Sequence, residues 1–552
     1  MISFQVDSPA IDEVIARLQR EDVVGQMLER RGRMAELATE GGDVKLDWCD
    51  QVSWALEHPA AIDGVENLAR SIRTRFDHVV WSGMGGSIQA VHTLKGLGLF
   101  EGSGVEIHPL DSTDPAALNR LLRTIGGDLH RTLMVGVSMG MTSEEPITHL
   151  RWFDELLRAH HVERPAEHVM VMTLPDSYLD RFAAERGSVR IDIQLNGASH
   201  TPGRMSAPST RVFLLPAALA QPGGVAEVLR RCDAAARLRR DMLEEDPFLR
   251  LAAWLSLQID GGRDMVLLDL PPRWAAVAPW VEQVVEESLG KGGRGLLIFQ
   301  DQDLQSAGHW PDRFSVLRVD EGSGAPLPDR PVVSLKLGDA TLATTSRFFA
   351  GWDLSVALIG YLQGITFAGQ PAVELYKSHA RRLRDAPDEL PYPGNDVTGA
   401  VLAADIRRLD AKQRLGYFDL TINADPAGPL WEAAREKGRW FGNHILQRPV
   451  KVRSGPRDYH STEQSETDGP PDLLSLRVLV KDPETVAEGE YSSRFLHAQA
   501  LGTFLAMRDA GRPVLLATLH RANAAEALID LLDDAAKKLP DTRSPQSRKR
   551  GR

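Results

Sequence analysis

The sequence predicts an α/β protein whose sheets are mostly parallel and flanked by helices. Three observations lead there. Short apolar runs such as Val79–Trp81, Val105–Leu110, Leu133–Val137 and Val169–Leu174 alternate with helical stretches, the pattern of βαβ units. A glycine turn, Gly83-Met-Gly-Gly-Ser87, joins the first of these runs to the next helix. The chain has 552 residues, 43% hydrophobic and 25% charged, which is ordinary for a globular protein and long enough for two or more cored domains.

Taken in order, residues 1–60 read as a helical segment, with Ile11, Val14, Ile15 and Leu18 at helical spacing. A first domain over 61–245 holds the four strand–helix pairs above, then Arg190–Ile193 and Phe213–Ala220. A second domain over 246–535 has strands at Met265–Leu270, Gly295–Phe299, Phe314–Val319 and Val332–Leu337, with helices at Trp280–Leu289 and Leu354–Leu362. A further βα stretch with strands at Tyr417–Asn423, Leu473–Val480 and Val514–Leu519 is expected to complete the second sheet. Residues 452–471 read as a long polar loop with a functional role, and 536–552 as a disordered basic tail.

A net charge of −12 argues against a nucleic-acid partner, since such surfaces are basic. The two cysteines, Cys49 and Cys232, form no C-x-x-C pair, which fits a reducing cytoplasm. The first residues lack the basic and apolar regions of a signal peptide, and no apolar run approaches the ~20 residues that span a bilayer. The expectation is a cytoplasmic protein without a membrane partner.

The glycine turn suits an anionic ligand. Gly83, Gly85 and Gly86 allow close backbone approach, Ser87 adds a hydroxyl, and the helix that follows points its amides at the same place. Its spacing is not the dinucleotide pattern G-x-G-x-x-G.

Several motifs in one order then resemble a known family. Gly83-Met-Gly-Gly-Ser87, Leu110-Asp-Ser-Thr-Asp-Pro115, Val137-Ser-Met-Gly-Met-Thr-Ser-Glu-Glu-Pro146 and Pro202-Gly-Arg-Met-Ser206 are followed by Glu287-Ser-Leu-Gly-Lys291, Val373-Glu-Leu-Tyr-Lys377 and the stretch from Gly455 to Gln464. Over roughly residues 50–520 this resembles the glucose-6-phosphate isomerases. The likeness is greatest to the isomerase half of proteins fused to a transaldolase, with too few residues upstream here to expect a transaldolase segment. The resemblance implies two sugar-isomerase domains, a sugar-phosphate substrate and aldose–ketose isomerisation through an enediolate. It implies no cofactor and no metal, and a homodimer is common among such enzymes.

That chemistry needs a base reaching C1 and C2, a cation over the enediolate oxygens, a ring-opening acid or base, and a phosphate anchor. By the resemblance Glu287 is the base, a role that a partly desolvated carboxylate can fill, and Gln283 shares its helix face. Glu286 reads as the solvated neighbour. Arg204 would stabilise the enediolate, because a guanidinium stays charged. Lys377 would help open the ring, and His460 is a further candidate for that step. Gly85, Gly86, Ser87, Ser138, Thr142 and Ser143 would bind substrate. Two departures matter. The family's phosphate loop, close to S-K-S-G-T-T, reads Ser138-Met-Gly-Met-Thr-Ser143 here, so Met139 replaces a lysine, and Glu144 adds a negative charge nearby. The fused relatives carry H-S-T-G-Q-L-H-K, where this chain has Glu466 and Thr467 at the second histidine and the lysine. Two other readings follow from these changes: a sugar-phosphate-binding protein with impaired turnover, or an isomerase of a related sugar with an altered phosphate site.

Overall fold

The computed structural model describes residues 2–540 apart from 7, 141–143, 202–207, 241–243, 307–309, 311, 328, 388 and 394–396, with only backbone for 235–240. In chain order the strands are β1 Ser3–Gln5, β2 Thr39–Glu40, β3 Asp43–Val44, β4 His78–Ser82, β5 Glu106–Leu110, β6 Thr132–Val137, β7 Val169–Met172 and β8 Val189–Ile191. They continue as β9 Met265–Asp269, β10 Leu297–Phe299, β11 Phe314–Val319, β12 Val332–Lys336, β13 Tyr417–Asn423, β14 Val450–Gly455, β15 Leu473–Val480 and β16 Val514–Leu519. The expected α/β class, with mostly parallel sheets flanked by helices, is what the chain adopts.

The first sheet runs β5-β4-β6-β7-β8, every neighbour parallel. Its central strand β6 is buried at all six positions, as a strand covered on both faces must be. The helices that follow the strands start on local signals. Asp114 accepts a hydrogen bond from the amide of Ala116 at 2.9 Å, just ahead of Pro115 at the first helical position.

The second sheet runs β1-β12-β11-β9-β10 and the third runs β14-β13-β15-β16. The third stretch therefore forms its own parallel sheet instead of completing the second. All seven residues of β13 and all eight of β15 are buried. The N-terminal segment also differs from an all-helical reading, since β1 pairs antiparallel with β12 across a long sequence separation that no local periodicity reveals. At the other end, the helix Ala524–Lys538 runs into the region expected to be a disordered tail. Residues 541–552 lie outside the described residues.

Helix Leu342–Gln363 is buried along most of its length and apolar nearly all round, which marks a helix enclosed by protein. Phe349 from it stacks on Trp280 with ring centroids 3.9 Å apart. Trp280 belongs to the helix Ala278–Leu289, which this packing fixes in place. That helix touches β10, the Gly85–Ser87 turn of the first sheet and the short helix Glu463–Asp468. It is the hinge of the site described next. Among the described residues no helix is long and apolar enough to cross a membrane.

Candidate active site

The site begins where β4 ends. Gly85 has φ +52°, and a Cβ there would lie 2.4 Å from the carbonyl oxygen of His460 and 3.1 Å from Nε2 of Gln283. Only glycine satisfies both the left-handed backbone and the close approach. At Gly86 a Cβ would lie 2.7 Å from Cε of Met139. The turn thus brings β4, the 278–289 helix and the segment after β14 within contact. Ser87 is buried beside them, its carbonyl accepting from Nε1 of Trp81 at 2.9 Å. Ser138 is buried at the end of β6 and donates to the Gly140 carbonyl at 2.8 Å.

Gln283 and Glu287 stand one helical turn apart and are each 5% exposed. Gln283 Nε2 donates to Glu287 Oε2 at 3.0 Å. The same motif explains the helix end. A Cβ on Gly290 would lie 2.6 Å from Ser465, so glycine lets the 463–468 helix approach. Lys291 caps the structure by donating to the carbonyls of Ser288, Thr366 and Ala368 at 2.8–2.9 Å. Glu286 is not the solvated neighbour. It is fully buried, accepts from the amide of Ile298 at 2.8 Å, and pairs with Lys451 and with Arg453 Nη2. Burial raises its carboxyl to about 7 even against the Lys451 charge.

His460 is held from two sides. Its Nε2 lies 2.5 Å from Glu145 Oε1 and 2.9 Å from the Tyr376 hydroxyl. Glu145 also accepts from Gln499 Nε2 at 2.5 Å. Burial would push the Glu145 carboxyl up, but His460, then Lys377, hold it down at about 2. The Tyr376 hydroxyl is raised well above its usual range by burial and by Glu145. Glu145 and Tyr376 thus fix the orientation of the His460 ring. Lys377 lines the same recess, 7% exposed, with Nζ 2.8 Å from Glu374 Oε1. Glu144, at the edge of the recess, is paired with Arg384 Nη1 at 2.5 Å, which offsets the charge expected to repel phosphate.

The structure therefore gathers Gly85, Gly86, Ser87, Gln283, Glu287 and His460, with Lys377 beside His460. Arg204, Thr142 and Ser143 lie outside the described residues, as does the anticipated meeting of Glu287 with Arg204. Sequence reading missed Tyr376 and Gln499 as partners of the histidine–glutamate pair. Tyr376 directly precedes Lys377 in its motif, a signal that was available. Gln499 sits on the helix Arg494–Asp509 with no motif around it.

The expected polar loop of 452–471 is strand β14, a short turn and the helix Glu463–Asp468, and it is mostly buried. Arg457 in the turn forms an ion pair with Asp111 from the end of β5, with Nη2 at 3.2 Å from Oδ1. Burial would raise Asp111, but Arg457 and His92 hold it well below the usual carboxylate range. This clamp ties the first sheet to the segment carrying His460. Glu466, at the position of the relatives' second histidine, points into an ion network instead. It accepts from Arg453 at 2.5 Å, from Arg477 at 2.7 Å and from the Thr462 hydroxyl at 3.0 Å. Thr467 donates to Glu463 at 3.2 Å.

Among the described residues one trio has metal-ligand chemistry. His78, Glu106 and His108 have ligand atoms within 4.8 Å of one another. His78 and Glu106 open β4 and β5 and His108 is the middle residue of β5, and the His78 and His108 rings contact each other at 3.1 Å.

No family model matches the chain. Curated proteins named glucose-6-phosphate isomerase are similar to it. One from Parasynechococcus marenigrum is 33% identical over 231 residues, 39% of this chain and 39% of that protein. One from Synechococcus sp. JA-3-3Ab is 31% identical over 248 residues, 42% of this chain and 44% of that protein. One from Thermosynechococcus vestitus is 28% identical over 390 residues, 59% of this chain and 72% of that protein. The matches to the first two span about two fifths of the relatives' length. A solved hypothetical protein from Thermus thermophilus superposes with TM-score 0.58 at 23% identity, over 70% of this chain and all of that one. A glucose-6-phosphate isomerase from Chlamydia trachomatis superposes with TM-score 0.57 at 16% identity, over 70% of this chain and 89% of that one. These structures share the fold, and the curated relatives are homologues by sequence.

Proposed function

We propose that the protein is an aldose–ketose isomerase that interconverts glucose 6-phosphate and fructose 6-phosphate through an enediolate. The observation that carries this reading is the enclosure of Gln283–Glu287 and His460–Glu145 against one glycine turn. The relatives named glucose-6-phosphate isomerase support it. Glu287 takes the proton from C2 and returns it to C1. His460, set by Glu145 and Tyr376, exchanges the ring-oxygen proton with Lys377 alongside. Arg204 stabilises the enediolate oxygens. Gly85, Gly86, Ser87, Ser138, Thr142, Ser143 and Gln283 hold the sugar phosphate. The enzyme works in the cytoplasm, as a homodimer, without a metal or redox cofactor in the reaction.

One observation favours a second reading, an isomerase of a related sugar. Met139 packs its Cε toward Gly86, placing a thioether where the resemblance expects an ammonium. A lost charge-assisted hydrogen bond to phosphate costs on the order of 1.5–3 kcal/mol.

The test is a coupled assay with fructose 6-phosphate on purified protein beside Glu287→Gln. The proposal expects turnover that the variant lacks, with ligand binding retained. Equal rates in the two proteins remove Glu287 as the base. Tight binding without turnover in the parent leaves a binding protein, and turnover of another ketose in preference favours the second reading.

A further inference from the structure

A cavity of about 460 Å³ lies apart from Glu287, between the second and third sheets. It sits over the carboxyl ends of β9 and β10, where open parallel sheets bind small molecules, and its size is that of a small-ligand pocket. Gln283, Glu287 and His460 are not in its lining.

Its chemistry is divided. At the mouth stand Arg435 and Arg439, with side chains 52% and 33% exposed. Both turn to one carboxylate, Asp301, at 3.0 and 2.5 Å. Each guanidinium gives Asp301 a single N–H, which leaves further donors and one net positive charge at the rim. The floor carries acids and a hydroxyl, Glu282, Asp458 and Thr462, together with Lys451 and Arg453, which pair with Glu282, while the Thr462 hydroxyl donates to Glu466. Burial pushes the Asp458 carboxyl up to about 7, and its Oδ2 accepts from the Ser454 amide at 2.6 Å. Arg453, also in the lining, keeps a buried Nε with no hydrogen-bond partner among the described residues.

We propose that this cavity is a second small-molecule site that takes a phosphorylated polyol, its phosphate between Arg435 and Arg439 and its hydroxyls toward Glu282, Asp458 and Thr462. Two guanidiniums with donors beyond those given to Asp301 match a phosphate's oxygens. The acids and hydroxyl on the floor match the donors and acceptors of a sugar chain. The segment 457–462 walls the cavity on one side and carries His460 on the other, so a ligand here touches the turn that holds that histidine. The binding proposal does not depend on the isomerase reading.

The experiment is equilibrium dialysis of glucitol 6-phosphate, which cannot isomerise, against the full chain. The Arg435→Ala, Arg439→Ala double variant should bind one fewer molecule per chain than the parent. Asp301→Asn should bind more tightly at that site, by about threefold to tenfold, because it removes the competing carboxylate. Misfolding cannot produce that gain. A double variant that binds as many molecules as the parent overturns the proposal, as does an Asp301→Asn variant with unchanged or weaker binding. Loss of one molecule in the double variant, in a protein that never isomerises fructose 6-phosphate, keeps this site and rejects the isomerase.

Discussion

Glu286 and Glu287 are adjacent in sequence and both buried, but the two faces of their helix meet different worlds. Glu286 faces the third sheet and joins a network with Lys451, Arg453, Asp419, Glu466, Arg477 and Glu463. Glu287 faces the glycine turn and shares a hydrogen bond with a neutral amide, Gln283. Burial by itself does not mark a working carboxylate. A buried acid locked by two cations and a backbone amide is engaged in holding layers together. Glu287 lies beside the close-packed glycine turn, with the His460–Glu145 pair across it, and its role as a base belongs to the proposed function.

Substitutions on the two faces should separate activity from stability. The largest effect is expected from Glu287→Gln, a loss of at least about 100-fold in kcat, the range of general acid–base contributions. Its urea midpoint should stay near the parent's. If kcat is unchanged, the contrast between the faces is false. Lys451→Met should do the converse. It removes one of two cations from Glu282 and Glu286, since Lys451 Nζ lies 2.8 Å from Glu282 and also contacts Glu286, while Arg453 Nη2 stays with both. Breaking such a buried pair costs about 3–5 kcal/mol, read by urea unfolding, while kcat per folded molecule is retained.

Gly85→Ala tests the junction between the faces. The left-handed backbone alone costs about 1–2 kcal/mol with a Cβ, and the added carbon meets the His460 carbonyl. A fall in kcat of about tenfold together with a clear drop in midpoint is expected. A fall in stability without loss of kcat would detach His460 from the chemistry.

The smallest effect is in the pH dependence of stability. Burial raises Glu286 and Glu463 from 4.5 to about 7 in the fold. Between those values the native chain keeps protons that the unfolded chain releases, so their contribution is fully present below pH 4.5 and is lost as pH rises through 7. Glu145, held at about 2, works the other way, and its contribution is lost as pH falls from 4.5 toward 2. Buried His108 and His149, held down to about 3 and about 4 by burial, pull against the network between about pH 5 and about pH 8. The network therefore shows in a comparison: from about pH 5 to about pH 8 the urea midpoint of Glu286→Gln should fall less, or rise more, than the parent's. A variant whose midpoint follows the parent's over that interval contradicts a protonated Glu286.

Much of the site was legible because it lies in short motifs. Gly83–Ser87 and Gln283–Lys291 carry their own geometry: glycine where a Cβ cannot fit, and an i, i+4 pair on one helix face. Val373–Lys377 placed Lys377 at the end of a helix turn. The partners of His460 were less legible, because Glu145, Tyr376 and Gln499 meet only when three distant segments pack. The 452–471 segment was misread for a related reason. Its serines, threonines and acids look like a solvated loop, yet Arg453, Arg477 and Arg457 satisfy the acids Glu463, Glu466 and Asp111 inside the protein.

The sequence by itself determined the α/β class, the strand–helix alternation of the first sheet and the glycine turn, since these follow from local periodicity and from steric demands on single residues. Tertiary structure alone decided that the third stretch stands as its own sheet, that Glu286 rather than Glu287 enters the ion network, and that His460 reaches Glu145. Those outcomes depend on which cation lies within a few ångströms of which carboxylate, and that distance is set by packing between segments far apart in the chain.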